Sequence, residues 1–220
     1  MSASRVFVAG GTGYLGRAAA PPLLGRGHRP TMLVRAGSER RVPAGVEAVA
    51  GNALDPTAYA HGPDDTLLLL VGTPHPAPWK GAQFEAVDFA AGRAAAAALA
   101  SRPARHVVYL SVAHPAPSMH VYWQVRARVE ALLTETGVPA TFLRPWYVLG
   151  PGHRWAVMLK PFYWLAERVP ASRDTARRLG LVTLPQMVAA LVAAVESPPA
   201  SGTRVVEVPQ IRAARLADRT

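Results

Sequence analysis

The chain has 220 residues, half of them hydrophobic, a formal net charge of +10 and no cysteine. That length allows one substantial core, and the lack of thiols excludes disulfide scaffolding, thiolate catalysis and cysteine-based zinc sites. The basic balance invites a nucleic-acid reading, but the arginines are dispersed, with only local pairs such as Arg40 with Arg41 and Arg177 with Arg178. No recognisable nucleic-acid module accompanies them, so no nucleic-acid partner is expected. The N-terminus lacks the long apolar run of a secretory signal, and charge, Gly or Pro interrupts the other apolar segments too soon to span a bilayer. A soluble, cytoplasmic protein is expected.

RVFVAG, residues 5–10, predicts a short apolar strand, and GYLGRAAAPPLLGRG a helix ending near Gly25 and Gly27, with Pro21 and Pro22 expected to bend or divide it. Strands are predicted over 30–35 and 46–52. The continuously apolar TLLLLVG, 66–72, has the composition of a parallel strand covered on both faces. An Ala-rich helix over 84–100, a strand over 106–111, a helix over 121–137 stopping at Gly137 and a strand over 139–144 follow. Residues 145–185, rich in aromatic residues, Gly and Pro, break the rhythm. A helix over 184–196 and a strand over 203–208 restore it. Strands alternating with crossover helices predict an α/β fold, a doubly wound parallel Rossmann-type sheet with helices on both faces. The chain is expected to form a single domain over 1–220, in which 145–185 contributes a small substrate-side cap.

In GGTGYLG, Gly10, Gly13 and Gly16 follow a strand and open a helix. The first glycine permits a tight turn, the second lets backbone approach a pyrophosphate, and the third lets the helix pack near the sheet. A Gly-rich turn also serves purely structural needs, yet the strand–turn–helix setting is the one a dinucleotide fingerprint requires. No Lys-Ser/Thr pair follows, which excludes the phosphate loop of an ATPase. Arg35 ends the second strand, where an acidic residue would bind the ribose hydroxyls of NAD. Its positive charge suits a 2'-phosphate, with Arg40 or Arg41 assisting, so NADP(H) is expected in preference to NAD(H).

GGTGYLG, VVYLS, the Y-x-x-x-R of Tyr122 and Arg126, and LRPWYVLGPG together resemble the extended and atypical short-chain dehydrogenase/reductase superfamily. The resemblance is to small members near the NAD-dependent epimerase/dehydratase and NmrA-like groups, and it covers nearly the whole chain. It implies cofactor contacts at Gly10, Thr12, Gly13, Tyr14, Leu15 and Gly16, at Asn52 and Ala53 after the third strand, at Val71 and Gly72 after the fourth, and at Pro145 beside the nicotinamide. Asn52 replaces the family's usual Asp, and its carbonyl can accept the same hydrogen bond from adenine. The resemblance further implies Tyr122 as proton donor or acceptor, Ser111 as anchor of the substrate oxygen, and Arg126 in the place of the family's lysine, toward the ribose. Arginine keeps the charge and the helical spacing but not the ammonium geometry. The alternative is that Tyr122 packs against the sheet while Arg126 bonds only to cofactor or to a carboxylate such as Glu130.

Pro74, His114, Trp146, Tyr147, His153 and Trp155 are candidate substrate contacts, and His114 or His120 a candidate proton relay. No metal site is expected. The activity implied is an NADP(H)-dependent oxidoreductase acting on a small carbonyl or hydroxyl compound. Its alternatives are a nicotinamide-dependent epimerase, dehydratase or isomerase, and a non-catalytic NADP(H) sensor. The apolar crossover helices are compatible with a homodimer or with internal packing alone.

Overall fold

The computed structural model describes residues 4–151 and 179–216. Seven strands form one parallel sheet: β1 (Arg5–Ala9), β2 (Arg29–Val34), β3 (Glu47–Ala50), β4 (Thr66–Leu69), β5 (His106–Leu110), β6 (Ala140–Arg144) and β9 (Thr203–Glu207). Their order is β3-β2-β1-β4-β5-β6-β9, so the chain leaves β1 to one side and later returns beside it through β4. The C-terminal ends of β1 and β4 therefore flank the switch point, where ligands of open α/β sheets bind. A separate two-stranded parallel ribbon joins β7 (Tyr147–Leu149) to β8 (Leu181–Thr183).

Both faces of the sheet are covered, which explains the continuous apolar runs. Successive side chains point to opposite faces. Val6, Val8, Met32, Leu68, Val108 and Leu143 form one core, beneath α1 (Tyr14–Gly25), α5 (Leu184–Glu196) and α6 (Val208–Ala213). Phe7, Leu33, Leu67, Leu69, Val107 and Phe142 form the other, beneath α3 (Ala90–Ser101) and α4 (His120–Glu135). Before α3 the chain passes through a short α2 (Gly81–Gln83) and a π-helical stretch, Phe84–Phe89.

Pro21 and Pro22 do not divide the first helix. α1 runs through Pro21 and Pro22 without interruption. Two amide donors are lost there, but Ala19, Ala20 and Leu23 on either side are buried, and the Pro22 carbonyl still accepts from Arg26 N at 3.1 Å. Packing against the sheet outweighs the local preference. Within 145–185, the described residues contribute β7, β8 and the start of α5. Among the described residues no helix is long and apolar enough to cross a membrane.

Candidate functional site

The turn between β1 and α1 is built from backbone. Gly10 has φ +86°, and a Cβ there would lie 2.8 Å from the backbone of Leu70 and Val71, so only glycine fits. Its carbonyl accepts from Gly13 N at 3.1 Å, closing the turn. Gly16 abuts the Gly11 backbone and has no room for a side chain. Gly13 caps α1 without a side-chain acceptor, and no acidic residue occupies the first turn. The helix end thus presents amide dipoles at the switch point, the arrangement that favours an anion.

The side chains nearby are Thr12, Tyr14 and Leu15, all partly buried. Tyr14 reaches across to Gly150, beyond β7, and burial together with the neighbouring Tyr147 raises its phenol above the ordinary range. Arg35, one residue beyond β2, is exposed, as are Arg40 and Arg41 in the turn that follows. Asn52 Oδ1 accepts from Leu54 N at 3.1 Å, while the Ala53 carbonyl accepts from the Tyr59 hydroxyl at 2.9 Å. The carbonyl oxygen expected to face adenine is therefore already engaged in a local turn.

Beyond β4, a buried ion pair dominates. Arg126 on α4 and Asp88 in the π-helical stretch are 3 % and 2 % exposed, and Nη2 of the first lies 2.5 Å from Oδ1 of the second. Arg126 Nη1 also donates to the carbonyls of Leu110 at 3.0 Å and Val71 at 3.3 Å, and to the Tyr109 hydroxyl at 3.2 Å. Asp88 Oδ2 accepts from Thr73 N at 3.0 Å and Thr73 Oγ1 at 2.6 Å. Desolvation disfavours the guanidinium charge, but the Asp88 carboxylate and the hydrogen bond to Tyr109 favour it, and Arg126 stays charged. Gly72 packs directly over this pair. The guanidinium expected at a ribose is thus committed to Asp88 and to protein carbonyls, and the paired carboxylate is Asp88 rather than Glu130. Asp88 was not among the sequence candidates. Its signal was a carboxylate flanked by apolar residues in AVDFAAG.

Tyr122 is partly buried, its ring 4.8 Å from that of Phe84 and 5.2 Å from Arg126 Cζ. With Pro78, Phe84, Pro117, Met119 and Val121 it lines a cavity of about 270 Å³. Ser111, just past β5, is 3 % exposed and its hydroxyl lies beside the Glu130 carboxylate. His114 follows it on the loop, with Nε2 3.4 Å from Glu130 Oε1. Glu130 is gripped by Arg144, through Nε at 3.0 Å and through Nη2. Desolvation would raise the Glu130 pKa, but His114, Arg144 and Ser111 together lower it. Pro145 is buried, and its carbonyl accepts from Ala113 N at 2.9 Å. Trp146 and Trp123 pack on Ala113, Ala116 and Leu179. Tyr147 lies in β7 beside Leu149 and Leu181, and Pro74 is exposed with its carbonyl bound to Lys80 Nζ at 2.8 Å. His153 and Trp155 lie outside the described residues.

No protein-family model and no curated protein matches the chain. Solved structures do. UDP-galactose 4-epimerase matches with a TM-score of 0.68 at 17 % identity, over 92 % of this chain and 76 % of its own. The Bordetella bronchiseptica enzyme WbmG in complex with NAD matches at 0.65 and 17 %, over 94 % of this chain and 73 % of its own. A short-chain dehydrogenase/reductase superfamily protein from Agrobacterium tumefaciens with bound NAD matches at 0.65 and 18 %, over 95 % and 82 %. The chain has their fold. The Rossmann-type sheet expected from the strand pattern is present, and its neighbours include the superfamily that the motifs resemble.

Proposed function

We propose that the protein is a nicotinamide-dinucleotide-dependent oxidoreductase acting on a small carbonyl or hydroxyl compound. One observation carries the reading. The Gly10–Gly16 turn sits at the sheet's switch point with a positive φ, no room for a Cβ at Gly10 or Gly16, and a helix end without a side-chain cap. These residues fit a dinucleotide: the amides opening α1 would take the pyrophosphate, and the backbone of Val71 and Gly72 would border the rest. When bound, the dinucleotide supplies or accepts the hydride.

Arg35, exposed at the end of β2, supports a 2'-phosphorylated dinucleotide, with Arg40 and Arg41 close in sequence. The structural neighbours WbmG and the Agrobacterium protein are described with NAD. The preference for NADP(H) is therefore a feature in which this chain would differ from them. Ser111 would hold the substrate oxygen, while Pro145, Trp146 and Tyr147 would form the wall beside it. The likeness to UDP-galactose 4-epimerase favours a second reading, in which the same bound nicotinamide is oxidised and restored within one turnover.

The test is to incubate the protein with NADPH and a panel of small aldehydes and ketones, and separately with nucleotide sugars, following dihydronicotinamide absorbance and product. Net NADPH consumption with a carbonyl compound is the expected result. Sugar conversion without net consumption would establish the second reading. Binding without turnover of any compound would support the sensor, to which the buried Arg126–Asp88 pair is also suited.

A further inference from the structure

The commitment of Arg126 to Asp88 has a chemical consequence for Tyr122. A cation lowers a phenol's pKa when its charge faces the phenolate. Here the guanidinium is compensated by a buried carboxylate 2.5 Å away and shared with the carbonyls of Val71 and Leu110. Tyr122 meanwhile packs its ring on Phe84. The Arg126 guanidinium lies over the Tyr122 ring, its Cζ 5.2 Å from the centroid.

A different proton-handling group stands at the end of β5. His114 is three residues beyond Ser111, its side chain 14 % exposed, and its ring is stacked on Trp123 with centroids 6.0 Å apart and planes inclined by 13°. Trp123 is itself fixed by donation from Nε1 to the Ala116 carbonyl at 3.2 Å. His114 Nε2 faces Glu130 Oε1, and Arg144 holds Glu130 as a carboxylate while reaching Glu207 Oε1 at 3.2 Å. The charged and titratable groups around His114 include Glu130 of α4, Arg144 of β6 behind it, Glu207 of β9 behind Arg144, and His120, which packs edge-on against the same Trp123 ring. A carboxylate accepting at Nε2 selects the tautomer protonated there and leaves Nδ1 as the exchanging nitrogen. The buried Ser111 hydroxyl lies on the same loop and beside the same carboxylate, Glu130.

We infer that His114 is the acid–base residue of this site, with Ser111 as the anchor of the substrate oxygen and Glu130 as a positioning residue, an inference that rests on the dinucleotide reading above. In the reducing direction the carbonyl carbon gains a hydride from a dihydronicotinamide. The C=O π pair moves onto oxygen and forms an O–H bond with the proton leaving Nδ1. The products are an alcohol, an oxidised nicotinamide and a neutral imidazole, which regains its proton from water. Oxidation reverses each transfer.

The test compares wild type with His114→Gln, Glu130→Gln and Tyr122→Phe in three measurements: NADPH binding by fluorescence, ring ¹⁵N NMR of His114 against pH, and reduction of 1-phenyl-1,2-propanedione. NADPH binding is expected to stay within about threefold in His114→Gln while turnover falls at least about a hundredfold. Tyr122→Phe should lose less than about tenfold. In Glu130→Gln the preference for the Nε2-protonated tautomer should weaken, as read from the ring ¹⁵N shifts, and kcat should fall while NADPH binding holds. Should the dione not turn over, the NMR arm decides alone: Nδ1 is expected to shift when NADPH and dione are added, and an unmoved Nδ1 with an unchanged tautomer in Glu130→Gln overturns the assignment. A larger loss in Tyr122→Phe than in His114→Gln also overturns it. Absence of NADPH and NADH binding in wild type removes the dinucleotide reading itself, whereas intact binding with an inert His114 removes only this inference.

Discussion

The two halves of the site are made of different material. The cradle between β1 and α1 is backbone: its shape comes from Gly10 at φ +86°, the close contact of Gly16 with Gly11, and a helix end capped by Gly13. The half on α4 is side chain: two carboxylate–guanidinium pairs, Asp88 with Arg126 fully buried and Glu130 with Arg144 partly so, each joining α4 to another element. A glycine constraint is local and is written in adjacent residues. A buried ion pair depends on which elements the fold brings together, so its partners are named only by tertiary structure.

Perturbing the two halves should give opposite signatures. Asp88→Ala leaves the Arg126 guanidinium buried without its carboxylate, and stability should fall by about 3–5 kcal/mol in chemical denaturation. Asp88→Leu combined with Arg126→Met should recover much of that loss, since an apolar pair of similar volume avoids desolvating charge. Full stability in Asp88→Ala would remove the pair as the brace of this half. Gly10→Ala should act in the other direction. The strained φ and the 2.8 Å approach to Leu70 and Val71 should weaken dinucleotide binding by about a hundredfold, or about 3 kcal/mol, measured by titration on protein shown to be folded by circular dichroism.

Glu130→Gln should cost about 2 kcal/mol, less than Asp88→Ala because Arg144 keeps Glu207. The pH dependence has a definite sign. The folded-state Glu130 pKa lies below its ordinary value of 4.5, so the carboxylate's contribution is complete above that pH and is lost as pH falls through the lowered folded value. The stability difference between wild type and Glu130→Gln should accordingly narrow on acidification, as followed by denaturant midpoints at stepped pH. Arg35→Ala should show the smallest effect: about tenfold weaker NADPH binding, roughly 1.4 kcal/mol, with NADH binding unchanged in parallel titrations.

The same contrast governs what was legible in the sequence. TLLLLVG and HVVYLS announced buried parallel strands because both sheet faces are covered, and GGTGYLG announced its turn because only glycine satisfies that backbone. Pro21 and Pro22 misled, since propensity speaks for an isolated helix and α1 is held by the sheet beneath Ala19, Ala20 and Leu23. The short β7 and β8 were hidden in a segment of Gly, Pro and aromatic residues that carries no clear period. Arg126 was recognisable by its place four residues after Tyr122, but not its partner. Helical spacing suggested Glu130, whereas the fold gives Glu130 to Arg144 and brings Asp88 in from another helix. The Asn52 carbonyl accepts from Leu54 N in its own turn, a local bond that the sequence pattern does not announce.

The most direct measurement is fluorescence titration of the purified protein with NADPH and NADH at fixed ionic strength. Saturable binding, weakened about a hundredfold by Gly10→Ala and tighter for NADPH, is the expected result. Binding of neither nucleotide by folded wild-type protein would contradict the assignment of the Gly10–Gly16 turn as a dinucleotide cradle.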